Sequence, residues 1–149
     1  MDVKLVKLSE ENISESYKIK RTSENYVGFI NDILTTYFET YKTFSDLIGI
    51  YLDDKIIGLV VLTNTLLNGT MSFTDLVIDE DYQNLGYGTL AVKQIIKYFK
   101  NLDKSNVIKI VVFKENIKAI KCYEKCGFKI TNHCEKDDNF LVMEKTLND

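Results

Sequence analysis

The chain of 149 residues has no proline, one histidine and three cysteines. Without proline, no helix can be ended by a ring that removes a backbone N–H, so capping side chains and glycines must set the helix boundaries. The single histidine, His133, excludes any mechanism that needs a pair of histidines. A solitary histidine in a late loop is more typical of a solvent-exposed side chain than of a catalytic one.

The cysteines, Cys122, Cys126 and Cys134, are odd in number and lie late in the chain. In a chain without an export signal, this pattern predicts reduced thiols rather than disulfides. Together with His133 they form a set of candidate zinc ligands, but their spacing fits no common zinc finger. We therefore expect no metal site.

Long apolar runs and an excess of basic residues are also missing. The longest apolar run, residues 56–62, is far too short to span a membrane and is interrupted by Gly58. Residues 1–20 carry charges throughout and lack the apolar segment of a signal peptide, so we expect a cytoplasmic protein without membrane contacts. The 19 Lys and Arg residues against 22 Asp and Glu residues give a net charge of −3, which argues against nucleic-acid binding.

The residues that are present are typical of a folded α+β domain. Hydrophobic residues make up 45% and charged residues 28%, and the length predicts a single domain over residues 1–149. Apolar periodicity and turn signals predict the element order βααβββαβαββ. The strands are expected at residues 3–8, 47–52, 55–62, 71–78, 107–113, 128–131 and 140–145, and the helices at residues 9–20, 28–40, 89–100 and 116–125. The expected fold is a mixed, mostly antiparallel central sheet of about seven strands flanked by about four helices.

Two glycines lie between the fourth predicted strand and the third predicted helix. Gly86 and Gly88 would let the backbone approach a ligand closely, and the first N–H groups of the helix favour an anion such as pyrophosphate. The segment also fits the dinucleotide fingerprint Gly-x-Gly-x-x-Ala, but about sixty residues follow it, too few for the remaining parallel strands. A Walker loop is excluded because the sequence contains no Gly-Lys-Ser/Thr.

A second pattern lies in and after the last predicted helix. Taken alone, it predicts an amphipathic helix that ends at a glycine. Together with residues 83–88 (Gln-Asn-Leu-Gly-Tyr-Gly), however, it resembles the GNAT N-acetyltransferase superfamily, whose motifs are Arg/Gln-x-x-Gly-x-Gly/Ala and, about thirty residues later, Asn-x-x-Ala-x-x-x-Tyr-x-x-x-Gly-Phe. The residues that match the second motif are Asn116, Ala119, Tyr123, Gly127 and Phe128.

The resemblance implies that acetyl-CoA is the cofactor and gives each matched segment a role. Backbone amides of the glycine loop would hold the pyrophosphate, and the strand before it would pair with the pantetheine arm and polarise the thioester carbonyl. Asn116 would bond the arm from the other side, and Tyr123 would protonate the departing thiolate. The cofactor-binding residues implied in this way are Leu76, Val77, Ile78, Gln83, Asn84, Leu85, Gly86, Tyr87, Gly88, Thr89, Asn116, Ala119 and Tyr123.

The group that deprotonates the amine is not given by the motifs. Many family members use a carboxylate on the fourth strand, but the aligned positions are Ser72 and Thr74, which cannot accept a proton at neutral pH. Asp75 is adjacent to Thr74. Regular alternation would turn its side chain to the opposite face of the strand, and there we expect a strand-edge carboxylate that is held by a hydrogen bond. A β-bulge in this strand would turn the Asp75 side chain away from that face. Asp75 is therefore kept as a candidate substrate-binding residue.

Within the superfamily, the chain is most similar to bacterial spermine/spermidine acetyltransferase-like proteins, in chain length, in residues 23–27 and in the hairpin over residues 47–58. This resemblance implies a small-molecule amine substrate, and the acids Glu24, Asp32, Glu39 and Asp46 would attract a polyamine. Protein N-terminal or lysine acetylation, an aminoglycoside acceptor and a non-catalytic acetyl-CoA sensor are the alternatives. The oligomeric state, including a homodimer, is left open.

Overall fold

The computed structural model describes residues 2–23, 26–64, 66, 68–133 and 136–148. The first four strands form an antiparallel sheet in chain order: β1 (Lys4–Lys7), β2 (Ser45–Leu52), β3 (Lys55–Thr63) and β4 (Ser72–Ile78). The turn between β2 and β3 is the Asp53-Asp54 pair, which lies between the predicted strands at residues 47–52 and 55–62, and Asp53 takes the left-handed conformation (φ 53°). The predicted hairpin is therefore confirmed.

The remaining strands form a second antiparallel sheet in the order β5-β7-β6, with bounds β5 (Val107–Phe113), β6 (Lys129–His133) and β7 (Phe140–Thr146). Met71, just before β4, links the two sheets, because its N–H donates to Val107 O (3.0 Å) and its carbonyl accepts from Lys109 N (2.8 Å). Within the described ranges, no backbone hydrogen bond joins β4 to β5 beyond Met71. The seven predicted strands are confirmed, and the sheet opens between β4 and β5.

The part of the chain that the structure describes has three α-helices, α1 (Ile30–Thr36), α2 (Tyr87–Leu102) and α3 (Ile117–Lys125). The helix predicted at residues 28–40 is confirmed in position, but its last turn, Tyr37–Tyr41, is a π-helix. Lys42 N–H donates to Tyr37 O at 2.8 Å, which closes this wider turn. Within the described residues, no helix has the length and apolar character that a bilayer span would need.

The helix predicted at residues 9–20 is wrong in extent, because the structure has only a 3₁₀-helix at Ile13–Lys18. The Asn12 side chain accepts a hydrogen bond from Ser9 N–H at 2.6 Å, and the buried Ser16 hydroxyl donates to Ile13 O. Short polar side chains that bond neighbouring backbone groups compete with helical hydrogen bonds. The backbone of Ser9, where the helix was expected to begin, is therefore bonded by a side chain three residues later.

The core has one apolar layer on each face of the first sheet. Leu59 and Val61 of β3 pack with α1, and Val60 and Leu62 pack on the opposite face with α2. This alternation follows the two-residue period of a strand, and full burial of each such side chain contributes about 1.5–3 kcal/mol. The central position of β3 fixes the neighbouring strand, β4, against which the candidate site is built.

Candidate active site

The first feature of the site is a bulge in β4. Leu59 pairs with Val77 and Val61 pairs with Thr74, so two steps along β3 are matched by three along β4. The extra residue falls at Asp75, which has a left-handed backbone (φ 55°). A bulge leaves one residue outside the hydrogen-bonded ladder and turns its side chain. The regular alternation considered from the sequence therefore does not hold at this position.

The second feature is the beginning of α2. Gly86 is its N-cap with φ 90°, and a side chain built at Gly86 or Gly88 would meet no atom within 4 Å. Open space therefore adjoins the first turn of the helix, where the free N–H groups of a helix favour an anion. The Gln83 side chain does not cap the helix, because its amide donates to Ile78 O at 2.9 Å and ties the loop to the end of β4.

The third feature is the beginning of α3. The side-chain oxygen of Asn116 accepts a hydrogen bond from Ala119 N at 3.3 Å and so caps the helix. An N-cap of this kind satisfies one of the free N–H groups of the first turn. The amide nitrogen of Asn116 makes no hydrogen bond among the described residues, so it remains a donor at the cavity wall.

A cavity of about 400 Å³ brings the three features together. Of the residues that the sequence predicts for the cofactor, the cavity is lined by Leu76, Val77, Ile78, Gln83, Asn84, Gly88, Asn116, Ala119 and Tyr123. The other four lie beside it. Leu85 is exposed, Gly86 caps α2, the Tyr87 ring contacts the Tyr82 ring, and the Thr89 hydroxyl lies 3.5 Å from the sulfur of Cys122.

A second cavity of about 160 Å³ lies in the gap between β4 and β5. Asp75 and Phe113 line it from the two strands. Six residues line both cavities, so the two form one continuous cleft: Tyr26, Val27, Leu76, Asn116, Ala119 and Tyr123. Asp75 and Tyr123 therefore both line the smaller cavity, and the glycine loop borders the larger one.

Tyr123 lies on α3 with its ring against Phe73 and Phe128, at centroid distances of 5.6 and 6.1 Å. Burial raises the pKa of its hydroxyl, and the neighbouring Cys122 and Cys126 raise it further. The hydroxyl makes no hydrogen bond to a side chain or backbone group among the described residues. It therefore keeps its proton and has no protein partner that competes for it.

Asp75 is half-buried, and burial raises the pKa of its carboxyl. The hydrogen bond expected of a strand-edge carboxylate is not found within the described ranges, and that expectation is corrected. A buried carboxylate without a hydrogen bond is costly, which makes such a group a candidate for chemistry.

Three of the four acids expected to attract a polyamine lie in the described residues, and they lie away from both cavities. Asp32 is exposed because α1 turns Ile30, Ile33 and Leu34 toward the sheet and its other positions toward solvent. Glu39 is exposed because the π-helical turn that follows buries Tyr37 instead. Asp46 lies 3.0 Å from the ammonium of Lys7 and accepts a hydrogen bond from Tyr98. None of these three acids lines either cavity. The fourth, Glu24, lies outside the described residues.

Several cavity residues were missed by the sequence reasoning. Arg21 is the single arginine of the chain, which is a signal that could have singled it out. Its Nε donates to Gly28 O at 2.8 Å, and its Nη2 donates to Val27 O. These bonds hold the segment that carries Tyr26, whose hydroxyl donates to Glu115 O at 3.3 Å across the cleft. Cys122 lines the larger cavity as well.

In the part of the chain that the structure describes, no three His, Cys, Asp or Glu side chains come together as metal ligands would. Cys134 lies outside this part. The expectation that the chain binds no metal therefore stays a prediction.

Comparison with known proteins gives an independent view of this chain. A model of the acetyltransferase (GNAT) family matches residues 9–128. Spermine/spermidine N(1)-acetyltransferase of Bacillus subtilis strain 168 is 28% identical over 78 residues, which are 52% of this chain and 51% of that protein. Acetyltransferase PseH of Campylobacter jejuni is 34% identical over 98 residues, 65% of this chain and 59% of that protein. The chain thus matches between 51% and 59% of the length of these relatives.

Among solved structures, AAC(6′)-Ib in complex with paromomycin and acetyl-CoA superposes with a TM-score of 0.82 at 18% identity. The superposition covers 98% of this chain and 94% of that chain. At this level of identity the likeness establishes the fold, and the predicted fold class is confirmed.

Proposed function

The chain belongs to the GNAT acetyltransferase family, and on that premise we propose that it transfers the acetyl group of acetyl-CoA to a primary amine in a ternary complex. The observation that carries the proposal is the continuous cleft, with an open helix N-terminus at one end and Tyr123 and Asp75 at the other. The two ends match the anionic pyrophosphate and the reacting thioester, on whose oxygen negative charge develops during acyl transfer.

The pyrophosphate would lie against the N-terminus of α2. The helix has 16 residues, and its free N–H groups and dipole favour a bound anion. Gly86 and Gly88 leave the backbone uncovered at this point, and Lys118 adds a positive charge on the wall of the same cavity.

The pantetheine arm would lie between the bulged part of β4 and α3. Residues 76–78 line the cavity and offer backbone groups on one side, and the Asn116 amide offers a donor on the other. An N–H beside the bulge is the candidate donor to the thioester oxygen, on which negative charge develops during acyl transfer.

Tyr123 is the proposed general acid and Asp75 the proposed general base. The amine nitrogen attacks the carbonyl carbon, the carbon–sulfur bond breaks, and the departing sulfur takes the hydroxyl proton of Tyr123. The proton lost by the amine goes to Asp75. A free amine of pKa about 10.4 is neutral in about one molecule in 2,500 at pH 7, so deprotonation costs about 4.6 kcal/mol without a base. Desolvation of Asp75 makes its carboxylate a better proton acceptor.

A polyamine is the acceptor that we favour. The support is the similarity to the spermine/spermidine acetyltransferase of Bacillus subtilis. Within the described residues, the acids on the cleft wall are Asp75 and Glu80, and Glu80 is already bonded to Thr22. The likeness to AAC(6′)-Ib keeps an aminoglycoside acceptor as the second candidate.

A screen of amine acceptors that measures released coenzyme A tests the proposal. We expect acetylated product with at least one primary amine, and initial-velocity lines that intersect when both substrates are varied, as a ternary complex requires. Parallel lines would contradict direct transfer. Tight binding of acetyl-CoA without turnover of any polyamine, aminoglycoside, peptide N-terminus or lysine would contradict the enzyme assignment and favour the sensor alternative.

A further inference from the structure

Three aromatic side chains line the smaller cavity, and the proposed reaction gives them no role: Tyr26, Phe113 and Phe140. Their rings form a row, because the centroids of Tyr26 and Phe113 are 5.5 Å apart and those of Phe113 and Phe140 are 4.2 Å apart. Tyr26 is 47% exposed, and the other two residues are half-buried. Part of the surface of this row, here called the aromatic wall, is therefore free to contact a molecule in the cavity.

The backbone of Tyr26 is strained. Its φ of 66° lies in the left-handed region, which a bulky side chain rarely adopts. Hydrogen bonds on both sides hold this conformation: Arg21 donates to the carbonyl groups of Val27 and Gly28, and the Tyr26 hydroxyl donates to Glu115 O at 3.3 Å. Residues held in such conformations cluster at ligand-binding sites, and here the strain places an aromatic ring on the wall of the cleft.

Arg21 is placed in turn by its neighbours in the chain. Lys20 N–H donates to the carboxyl group of Asp79 at 2.8 Å, and Asp79 is buried. Thr22 donates to Glu80 from its backbone N–H at 2.8 Å and from its hydroxyl at 2.7 Å. One edge of the aromatic wall is therefore held in place before a ligand binds, and a preorganised site loses less conformational freedom on binding.

The charged side chains are divided between the two cavities. The larger cavity is lined by the basic residues Arg21 and Lys118 as well as by Glu80. Among the described residues that line the smaller cavity, Asp75 is the one with an ionisable acid group, and none is basic. Aromatic rings carry partial negative charge on their faces and attract ammonium groups. A carboxyl group and a row of rings without a basic side chain therefore suit a cation.

We propose that the aromatic wall binds the positively charged tail of the acceptor, an alkylammonium group that lies a few methylene groups from the reacting nitrogen. This deepens the proposed function and rests on it, because the reacting nitrogen is taken to lie near Asp75 and Tyr123. The methylene groups contact the rings, and the ammonium group lies within about 6 Å of a ring centroid. Tyr26, Phe113 and Phe140 are thus specificity-determining residues.

The proposal favours one of the two candidate acceptors. A polyamine is a chain of methylene groups interrupted by ammonium groups, and both parts interact favourably with an aromatic face. An aminoglycoside presents its amines on rings that carry many hydroxyl groups, which need hydrogen-bond partners when they leave water. The aromatic rings offer such groups few partners.

Two amines of the same shape test the recognition of charge. (3-Aminopropyl)trimethylammonium has a permanent positive charge on a tail that can neither donate a hydrogen bond nor be acetylated, and 4,4-dimethylpentan-1-amine has carbon in place of that nitrogen. NMR titration of the full chain, with and without coenzyme A, measures their binding. We expect the charged amine to bind about 2- to 30-fold more tightly, the range of one cation–π contact. Equal binding, tighter binding of the neutral amine, or no binding of either would overturn the proposal.

Four variants assign the preference to the rings. Tyr26→Leu and Phe113→Leu should each reduce it at least twofold. Tyr26→Phe keeps the ring and should retain the preference, as should Phe44→Leu, which removes an exposed ring that lines neither cavity. A preference that survives both leucine substitutions would show that Asp75 recognises the charge without the rings, and the proposal would be overturned.

Fluorinated phenylalanines at position 113 provide a second measurement that does not depend on a leucine variant folding. Increasing fluorination keeps the shape of the Phe113 ring and weakens the negative charge on its face. The preference for the charged amine should fall with each added fluorine, a trend that a ring with a purely structural role would not produce. An unchanged preference across the series would overturn the proposal.

Turnover separates this proposal from the proposed function. If the chain transfers acetyl groups, the preference should reappear in kcat/KM for the two amines, mainly through KM, because their reacting ends are the same. Preferred binding of the charged amine without any release of coenzyme A from acetyl-CoA would contradict the proposed function and leave the aromatic site in place. Turnover of both amines without a binding preference would overturn the site and leave the proposed function in place.

Discussion

A Cβ atom at Gly58 would lie 2.4 Å from the carbonyl oxygen of Val77, closer than any real side chain approaches a backbone oxygen. Gly58 pairs with Ile78 in the β3–β4 ladder, and Val77 follows directly on the bulge. The close approach of the two strands therefore depends on the absence of a side chain at position 58. This close contact fixes the part of β4 in which Asp75 lies outside the hydrogen-bonded ladder and residues 76–78 line the cleft.

Gly58→Ala should accordingly lower both stability and turnover. Because the new methyl group meets backbone rather than a flexible side chain, β4 must shift, and overpacking of this kind costs about 1–3 kcal/mol. Urea unfolding measures the loss of stability, and kcat measures the displacement of the site. Gly88→Ala is the control for stability, since its Cβ would meet no atom within 4 Å. Equal unfolding midpoints for the two variants would contradict the close-packing argument.

Binding of acetyl-CoA should raise the melting temperature, because a ligand that binds only the folded state stabilises it. Gly86→Val should abolish this shift by covering the backbone at the start of α2. Gly69→Val is the matched control, because Gly69 also has a positive φ (80°), also has open space at its Cβ, and lies in the turn before β4. Both variants lose stability from backbone strain, but Gly69→Val should keep the acetyl-CoA shift. A normal shift in Gly86→Val would remove the loop from the cofactor site.

Tyr123→Phe should lower kcat by about 10²- to 10⁴-fold, the usual contribution of a general acid, and should leave acetyl-CoA binding nearly unchanged. Because the pKa of Tyr123 is raised, the hydroxyl stays protonated as pH increases, and kcat of the wild type should not fall through an ordinary tyrosine pKa of about 10. Tyr98→Phe, which removes a hydrogen bond to Asp46 outside the cleft, is the control. An unchanged kcat in Tyr123→Phe would show that the thiolate leaves without this proton.

Asp75→Asn should reduce kcat/KM and at the same time stabilise the fold at pH 7. The folded-state pKa of Asp75 is raised above its unfolded value of about 3.9, so the folded chain holds this proton more tightly. The contribution of Asp75 to the stability of the fold is therefore most favourable below its pKa in the unfolded chain. It is lost as pH rises through its pKa in the folded chain.

Urea midpoints at pH 4 and pH 7 measure this effect. The gain from Asp75→Asn should be larger at pH 7, and kcat/KM of the wild type should fall as acidification protonates the base. Asp54→Asn, at the exposed β2–β3 turn, should change neither stability nor kcat/KM. A variant that loses stability at pH 7 but keeps full activity would contradict the role of Asp75 as base.

The parts of this structure that could be predicted from the sequence are those set by nearby residues. The hairpin of β2 and β3, the glycine opening of α2 and the position of α3 each depend on side chains within a few positions. The bulge at Asp75 could not be predicted, because it depends on the contact of β4 with a strand more than ten residues earlier.

The same limit applies to the side chains of the site. The acids Asp32 and Glu39 are on the correct segment but on its solvent face, and the face is decided by packing against the sheet. The environment of Cys122 depends on Thr89, which is 33 positions away in the sequence. Sequence spacing places such residues on an element, and only the fold decides what they meet.

Spermidine should be acetylated with a higher kcat/KM than a neutral-tailed primary amine of equal length. The support is the similarity to a spermine/spermidine acetyltransferase, and the proposed attraction comes from Asp75 and from Glu24 rather than from the whole acidic surface. The double variant Asp32→Asn/Glu39→Gln should therefore keep the preference, whereas Glu24→Gln should reduce it. Because surface charges are screened over about 8 Å at physiological ionic strength, any part of the preference that the exposed Asp32 and Glu39 contribute should vanish with added NaCl.

The preference itself should persist in salt, because the half-buried carboxylate of Asp75 is screened less than a charge on the surface. Equal kcat/KM values for the two amines would contradict a polyamine acceptor. That result would leave the proposed acetyl transfer in place, because the start of α2, Tyr123 and the role of Asp75 as base toward the reacting nitrogen do not depend on the charge of the amine's tail.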